Sequence, residues 1–203
     1  MGLDQYLTLT NKKYKEICDA YDAYYGLSEE EQEKTVCPDL PDDTSFDEIT
    51  LVNLNGKPIN CELIYWRKAN MIHNWFVENV QNGVDDCGSY RVSIEQLKSL
   101  RDICQYIVDN LEKYEIEEID WRGNPVKVTE YSPKNEELIK WCEENLPTCS
   151  GFFFGSTDYD KWYFHDVVYT LEEIENVINR FENSVIGLTG DNENYGIFYH
   201  SSW

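Results

Sequence analysis

The strongest constraint on the fold is an amphipathic helical pattern that begins at Ser93. Its apolar residues recur at helical spacing and form one stripe: Ile94, Leu97, Leu100, Cys104, Ile107 and Leu111. Ser93 and Gln96 have the spacing of a capping box, in which the two residues satisfy each other's free backbone N–H groups. A stripe of this kind belongs in a core, and so the pattern predicts a folded protein.

Strand signals occur in several parts of the chain. Residues 3–10 alternate apolar and polar side chains, which is typical of a strand with one buried face. Turn formers between short apolar runs predict two hairpins, and three consecutive Phe between glycines predict a buried strand. The hairpins are expected at residues 49–60 and 117–131, the buried strand at 152–154, and a further strand at 194–203.

The remaining segments carry helical or loop signals. Residues 14–25 fit a short helix or a structured loop, and residues 28–48 fit an acidic, solvated loop with room for one helical turn from Ser28. Apolar stripes predict helices over 63–80, over 132–145, and from a cap at Thr170 onward. We therefore expect one α+β domain spanning residues 1–203, with about four helices packed on a mostly antiparallel sheet.

The charge of the chain narrows its range of partners. Its 203 residues include 39 acidic and 17 basic side chains, which give a formal net charge of -22. Such a surface repels nucleic-acid backbones and anionic membranes, so we expect neither as a partner. The acidic excess has two interpretations. It can serve solubility alone, or it can form a surface that imitates nucleic acid.

The cysteines and the apolar runs bear on the compartment. Seven cysteines occur at irregular spacing without a C-x-x-C pair, which indicates reduced thiols rather than a disulfide framework. Residues 1–10 are too short and too polar for the apolar part of a secretory signal. No apolar run approaches the roughly 18 residues of a membrane span. We expect a cytoplasmic protein.

The main functional signal is a cluster of cations and aromatic rings within residues 62–81. Arg67 and Lys68 are adjacent and have aromatic, amide and imidazole neighbours: Tyr65, Trp66, Asn70, His73 and Trp75. Guanidinium and ammonium groups bind phosphate, and aromatic faces stack on bases. The cluster predicts a site for a small, anionic, ring-bearing ligand, with a solvated helix face as the plain alternative.

The predicted helix over 63–80 also orders these side chains. Arg67, Asn70 and Asn74 share one face, whereas His73 falls on the apolar side. A histidine on an apolar side is more often a buried structural residue than a catalyst.

A second polar segment is expected to contribute to the same site. Residues 155–158 predict a turn whose N–H groups and hydroxyls suit an anion, although the lysine of a phosphate-binding loop is missing. We assign Arg67 and Lys68 to phosphate. The candidates for stacking are Tyr65, Trp66 and Trp162, and the candidates for polar contacts are Asn70, His73, Ser156, Thr157 and Asp158.

Two blocks of the chain resemble a known group of proteins. YWRKANMIHNWFVENVQNGVDDC, at residues 65–87, and LPTCSGFFFGSTDYDKWYFHD, at residues 146–166, are similar to a largely uncharacterised family of small bacteriophage and prophage proteins. The opening MGLDQYL and the closing YHSSW also resemble that family. The resemblance implies a protein that acts in the cytoplasm of an infected bacterial host, and it transfers no catalytic residue.

Three functions remain open after the sequence alone. The first is a phage counter-defence protein, or sponge, that sequesters a small nucleotide-derived signal without catalysis, without cofactor or metal, and as a homo-oligomer. The second is an acidic protein-binding inhibitor or DNA mimic. The third is a hydrolase of the same signals, which needs a base, a nucleophile or a metal from these candidates: His73, Cys87, Asp158, His165 and His200.

Overall fold

An antiparallel sheet of four strands forms the centre of the fold. The computed structural model describes residues 2–45, 48, 49, 54, 56–183 and 193–203. Over these ranges it has six strands: β1 (Asp4–Asn11), β2 (Asn60–Arg67), β3 (Tyr90–Val92), β4 (Leu111–Ile119), β5 (Pro125–Pro133) and β6 (Tyr195–Ser202). The central sheet has the order β2-β1-β6-β3, and β4 pairs with β5 in a separate ribbon.

Six helices accompany the two sheets in the described residues. They are α1 (Lys12–Tyr25), α2 (Glu29–Gln32), α3 (Asn70–Asn79), α4 (Ile94–Asp109), α5 (Glu136–Asn145) and α6 (Lys161–Asn183). The predicted α+β class and the mostly antiparallel sheet are confirmed, with two helices more than expected. None of the helices in these ranges is both long enough and apolar enough to cross a bilayer.

Strand β1 holds the central sheet together because it pairs with a neighbour on each side. Leu7 lies opposite Ile64 of β2 and opposite Tyr199 of β6. All three side chains are buried in one continuous core. The predicted strands at 3–10 and 194–203 are confirmed, since alternation of apolar side chains is what one covered face of a sheet requires.

The predicted helix over 63–80 is wrong in its first half. Residues up to Arg67 belong to β2, and the helix begins only at Asn70. The pairing register shifts between Leu7 and Thr8, so that Leu63 is an extra residue in β2. Because of this bulge, the adjacent residues Leu63 and Ile64 are both buried. The sequence of β2 therefore lacks the strict alternation of a strand, and its apolar residues resemble the stripe of a helix.

The amphipathic helix predicted from Ser93 onward is present as α4. Its capping box is formed, with Ser93 N donating to Gln96 Oε1 over 2.9 Å and Gln96 N donating to Ser93 Oγ over 3.1 Å. Residues 14–25 are helical within α1. The acidic segment contains the single helical turn α2, at whose start Ser28 N donates to Glu31 Oε2 over 3.0 Å.

Other predicted elements have different boundaries in the structure or lie outside the described residues. The hairpin at 117–131 is confirmed as β4 and β5, which extend further than expected. Helix α5 is capped by Asn135 and not by Ser132, because Pro133 still belongs to β5. The hairpin predicted around Asn55-Gly56 depends on residues 50–53 and 55, which lie outside the described residues.

Thr170 was predicted to cap the last helix and instead lies inside α6. Its hydroxyl donates to the carbonyl of Asp166 over 2.6 Å and accepts the indole N–H of Trp66 over 2.9 Å. Both Trp66 and Thr170 are buried. The hydroxyl therefore satisfies a buried polar group of β2, which explains a polar residue on the covered face of a long helix.

We expect Thr170→Val to destabilise the protein by about 1–3 kcal/mol, because the shape is kept while the indole N–H of Trp66 loses its acceptor. Chemical denaturation monitored by tryptophan fluorescence measures this change. Thr170→Ser keeps the hydroxyl and should cost less than Thr170→Val; the reverse order would contradict the role assigned to this hydrogen bond.

Candidate functional site

A cavity of about 350 Å³ opens where β2 ends, α3 starts and α6 starts. This volume is at the lower end of the range for small-molecule sites. Its lining combines two cations, three carboxyl groups, an indole and several small polar groups. The lining residues are Arg67, Lys68, Asn70, Met71, Thr148, Gly155, Ser156, Asp158, Asp160, Trp162, Tyr163 and Asp166.

The two cations occupy the corner between β2 and α3. Arg67 is the last residue of β2, and Lys68 turns the chain with a positive φ of 62°. Lys68 N donates to the carbonyl of Leu3 over 2.8 Å, which fixes the corner to the residues before β1. Both side chains are exposed, and neither makes an ion pair with any described acid. Their charges are therefore available to a ligand.

Gly155 packs directly against this corner. It has a φ of +98°, and a Cβ at this position would lie 3.3 Å from both Cβ and the carbonyl oxygen of Lys68. A larger residue would be strained by the backbone conformation and would push on Lys68. The glycine thus lets the loop before α6 come close to the cations.

Asn70 attaches that loop to the start of α3. Its Nδ2 donates to the carbonyls of Phe154, over 3.3 Å, and Ser156, over 2.7 Å, while its Oδ1 accepts from Cys149 N over 3.2 Å. The side chain is buried. Because its amide is occupied by the protein, Asn70 shapes the cavity wall and has little capacity left to read a ligand.

The loop itself corrects the prediction of a buried strand at 152–154. No strand forms there; Phe152 is 81% exposed and Phe153 is 51% exposed with a positive φ of 66°. Only Phe154 is buried, with its ring 5.2 Å from that of His73. The chain turns back between Gly151 and Phe154, which a strand could not do, so it reaches the amide of Asn70.

The start of α6 supplies another part of the cavity lining. Asp160 Oδ1 accepts from Trp162 N over 2.9 Å and from Tyr163 N over 3.3 Å, which caps the helix. Ser156 Oγ donates to Asp158 Oδ2 over 3.0 Å and accepts from Asp158 N over the same distance. Two of the three carboxylates in the cavity are thus engaged by the protein.

Asp166 is the third carboxyl group of the cavity and differs from the other two. Its side chain makes no hydrogen bond or ion pair with any residue that the structure describes. Burial, and secondarily the negative charge of Asp160, raises the pKa of Asp166 to about 7. A group with that pKa exists in both protonation states near neutral pH.

Trp162 provides an aromatic surface at the mouth of the cavity. Its side chain is 64% exposed, and Lys161 Nζ lies 5.1 Å from the ring centroid. Lys161 is held on the other side by Glu130, with 2.9 Å between Nζ and Oε1. An exposed indole that lines a cavity is suited to stacking on a planar ligand.

Six of the ten predicted site residues line this cavity. They come from two blocks that are far apart in sequence: Arg67, Lys68 and Asn70 from the first, and Ser156, Asp158 and Trp162 from the second. Arg67 was expected to lie on a helix, but it is the last residue of β2. The cations meet the second block because the corner after β2 faces the loop.

The other four predicted residues lie outside the cavity lining. Trp66 is 2% exposed and belongs to the core. Tyr65 donates to Asp4 Oδ1 over 2.5 Å, a hydrogen bond that raises the pKa of the phenol. The carbonyl of Thr157 accepts from Thr148 Oγ1 over 3.1 Å.

His73 is the fourth of these residues, and it is buried as its position on the apolar side predicted. Its Nδ1 lies 2.8 Å from the hydroxyl of Tyr199, and its Nε2 lies 3.1 Å from Asp85 Oδ2. Asp85 Oδ1 accepts in turn from the indole of Trp203 over 3.1 Å. This network joins α3, β6 and the loop before β3, a structural role.

The remaining catalytic candidates are dispersed. His165 lies 3.8 Å from Glu130, and His200 stacks on Tyr6 with 4.8 Å between ring centroids. Burial lowers the pKa of His200. Cys87 is exposed, and none of the seven cysteines forms a disulfide. Across the described ranges, no three His, Cys, Asp or Glu side chains come close enough together to hold a metal ion.

Sequence reasoning missed two acidic residues of the cavity, Asp160 and Asp166. Asp160 carries a signal that could have been used, because an Asp directly before a helix is a preferred N-cap. Asp166 follows Trp162 by one helical turn, but this spacing has meaning only once the helix is known to start at Lys161.

A second cavity lies at the start of α1 and is smaller, at about 170 Å³. Three cations line it, Lys12, Lys15 and Arg91, together with Glu193. Arg91 donates to the carbonyl of Tyr195 over 3.2 Å. Its volume is about half that of the first cavity and lies below the usual range for small-molecule sites, so the first cavity is the better candidate.

Comparison of the chain with protein-family models, with curated proteins and with solved structures finds no match. The resemblance to phage proteins therefore stays a prediction from the sequence blocks described above.

We expect Asn70→Ala to loosen the loop over residues 148–158, because three carbonyl and N–H groups lose their partner. Hydrogen exchange should become faster in this loop, and stability should fall by about 2–3 kcal/mol. Asn74→Ala is the matched control, since the side chain of Asn74 donates to the carbonyl of Pro147 over 3.3 Å, directly before this loop. Equal exchange rates in the two variants would contradict the role of Asn70.

The raised pKa of Asp166 predicts how stability depends on pH. The usual value is 3.8 and the folded value is about 7, so folding favours the protonated carboxyl. Its contribution to stability is complete below about pH 4 and is lost as the pH rises through 7. Asp166→Asn should therefore raise the melting temperature at pH 8 and have little effect at pH 4.

The expected change in stability follows from the pKa shift of Asp166, reduced because the carboxyl group is partly exposed to solvent. We expect about 2 kcal/mol, or roughly 4–8 °C for a domain of this size. Thermal denaturation at pH 4 and pH 8 measures it. Glu172→Gln, an exposed acid of the same helix, should give no such pH-dependent difference.

Proposed function

We propose that the cavity binds a small nucleotide-like anionic ligand and holds it without reaction. One observation carries the proposal: Arg67 and Lys68 share a cavity of about 350 Å³ with Trp162 and the polar loop around Ser156. A cation pair for phosphate, an indole for a base and polar groups for a sugar are the parts that such a ligand needs.

The net charge of -22 does not prevent this binding. Distant surface charges are screened over about 8–10 Å at physiological salt, whereas Arg67 and Lys68 act at contact distance. Their freedom from ion pairs with described acids supports the assignment, because no acid has to be displaced. At contact distance these two cations attract an anionic group.

A hydrolase is the second candidate, and Asp166 is the observation that favours it. A carboxyl group with a pKa of about 7 in a cavity is a candidate general acid or base. The cavity lining contains Ser156 and Thr148 as hydroxyl groups, and both are hydrogen-bonded to acceptors of the protein. Recovery of the ligand after incubation separates capture from hydrolysis.

The biological setting that we propose is phage counter-defence in the cytoplasm of an infected bacterium. It rests on the resemblance of residues 65–87 and 146–166 to phage proteins. In that setting the protein would act as a sponge for a nucleotide-derived immune signal, and pairing of two copies would be one way to enclose a larger ligand. The acidic inhibitor or DNA mimic is the alternative if no nucleotide binds.

We expect Arg67→Ala combined with Lys68→Ala to weaken ligand binding by at least about 100-fold, since each charged hydrogen bond contributes about 1.5–3 kcal/mol. A thermal-shift screen against cyclic dinucleotides, ADP-ribose derivatives and NAD identifies the ligand, and calorimetry then measures its affinity for each variant.

The control removes the same two side-chain types elsewhere. Arg122 and Lys127 lie on the β4–β5 ribbon, are exposed and do not line the cavity. Arg122→Ala with Lys127→Ala should bind like the wild type. If the Arg67 and Lys68 variant also kept wild-type affinity, the cavity would be the wrong site; if no nucleotide shifted the wild type, the acidic surface would become the better explanation.

A further inference from the structure

The cavity contains groups that a purely anionic ligand does not use. Arg67 and Lys68 line it together with the carboxyl groups of Asp158, Asp160 and Asp166. A ligand that offered only negative charge would meet repulsion from these carboxylates. The lining therefore fits a ligand that has both an anionic group and hydrogen-bond donors.

The three carboxyl groups are not equally available to such donors. Asp160 caps α6 through its Oδ1, and Asp158 accepts the hydroxyl proton of Ser156 through its Oδ2. Asp166 has no partner among the described side chains or backbone groups, although it is partly buried. Because Asp166 lines the cavity and no described residue occupies either oxygen of its carboxyl group, both oxygens can accept hydrogen bonds from a ligand.

The position of Asp166 relative to Trp162 specifies what the donors belong to. The two residues are four apart on α6, so their side chains lie one helical turn apart on the same face. One turn is about 5.4 Å. An indole that stacks on a base would thus have a carboxyl group beside the position of the attached sugar, as in sites where an acid accepts from ribose hydroxyls.

We infer that Asp166 accepts hydrogen bonds from the ribose hydroxyl groups of the ligand, so that the site takes ribonucleotides in preference to nucleotides without those hydroxyls. This inference rests on the proposed function and names its ligand class. Arg67 and Lys68 hold the phosphate, Trp162 stacks on the base, and Asp166 selects the sugar.

The test compares matched ligands within one protein. The four ribonucleoside 5′-monophosphates and their 2′,3′-dideoxy analogues are titrated calorimetrically at pH 8, where Asp166 is mostly ionised. We expect the wild type to bind at least one ribonucleotide about 10- to 100-fold more tightly than its dideoxy analogue. In Asp166→Ala this ratio should fall to about one, while dependence on Arg67 and Lys68 remains.

Each variant serves as its own reference, because the ratio of two affinities is insensitive to a general loss of stability. Asp166→Asn keeps the shape and one acceptor, and should give an intermediate ratio. Glu172→Gln, on the same helix and outside the cavity, should keep the wild-type ratio.

Four results are distinguishable. A ratio lost only in the Asp166 variants supports the inference. Equal binding of both ligand series by the wild type overturns it and leaves the proposed function intact. A ratio that persists in Asp166→Ala shows that another residue reads the sugar and overturns the assignment. Binding of none of the eight nucleotides, together with no shift in the wider screen, overturns both proposals.

Discussion

The side-chain amide of Asn70 is the contact on which the candidate site depends. A buried amide must satisfy its donors and its acceptor, and here all three bonds go to one loop: to Phe154, Ser156 and Cys149. The packing of Phe154 on His73 and of Gly155 on Lys68 adds to this attachment. Without the amide, three polar groups of the loop would lose their partner, and the loop that carries Ser156 and Asp158 would be held less firmly beside Arg67 and Lys68. The cavity therefore depends on a satisfied polar group as well as on apolar packing.

Much of the fold was predictable because its signals are local. Alternation in β1 and β6 and the capping box of α4 depend on neighbouring residues only, and each is present in the structure. The failures have a common cause in contacts that are distant in sequence. The bulge at Leu63 is defined by its partner strand β1, and the buried hydroxyl of Thr170 inside α6 has its partner in the indole of Trp66. A single sequence does not show which distant residues will be in contact.

The site was predictable in part for the same reason. Residue type alone marked Arg67, Lys68 and Trp162, since cations and indoles are unusual neighbours in so acidic a chain. It did not mark Asp166, because one more carboxyl among 39 acidic residues carries no signal until its surroundings are known. Burial also removed Trp66 and His73 from the cavity, since aromatic rings in the core and at a binding site look alike in sequence.

The place of β1 in the sheet has a consequence for how the protein is made. Thr8 of β1 pairs with Phe198 of β6, and these residues are 190 positions apart. While β6 is still inside the ribosome, β1 has an open edge on the side that β6 will cover. The central sheet can close only after β6 has left the ribosome, so the edge of β1 stays open for pairing with another chain while the intervening residues are made.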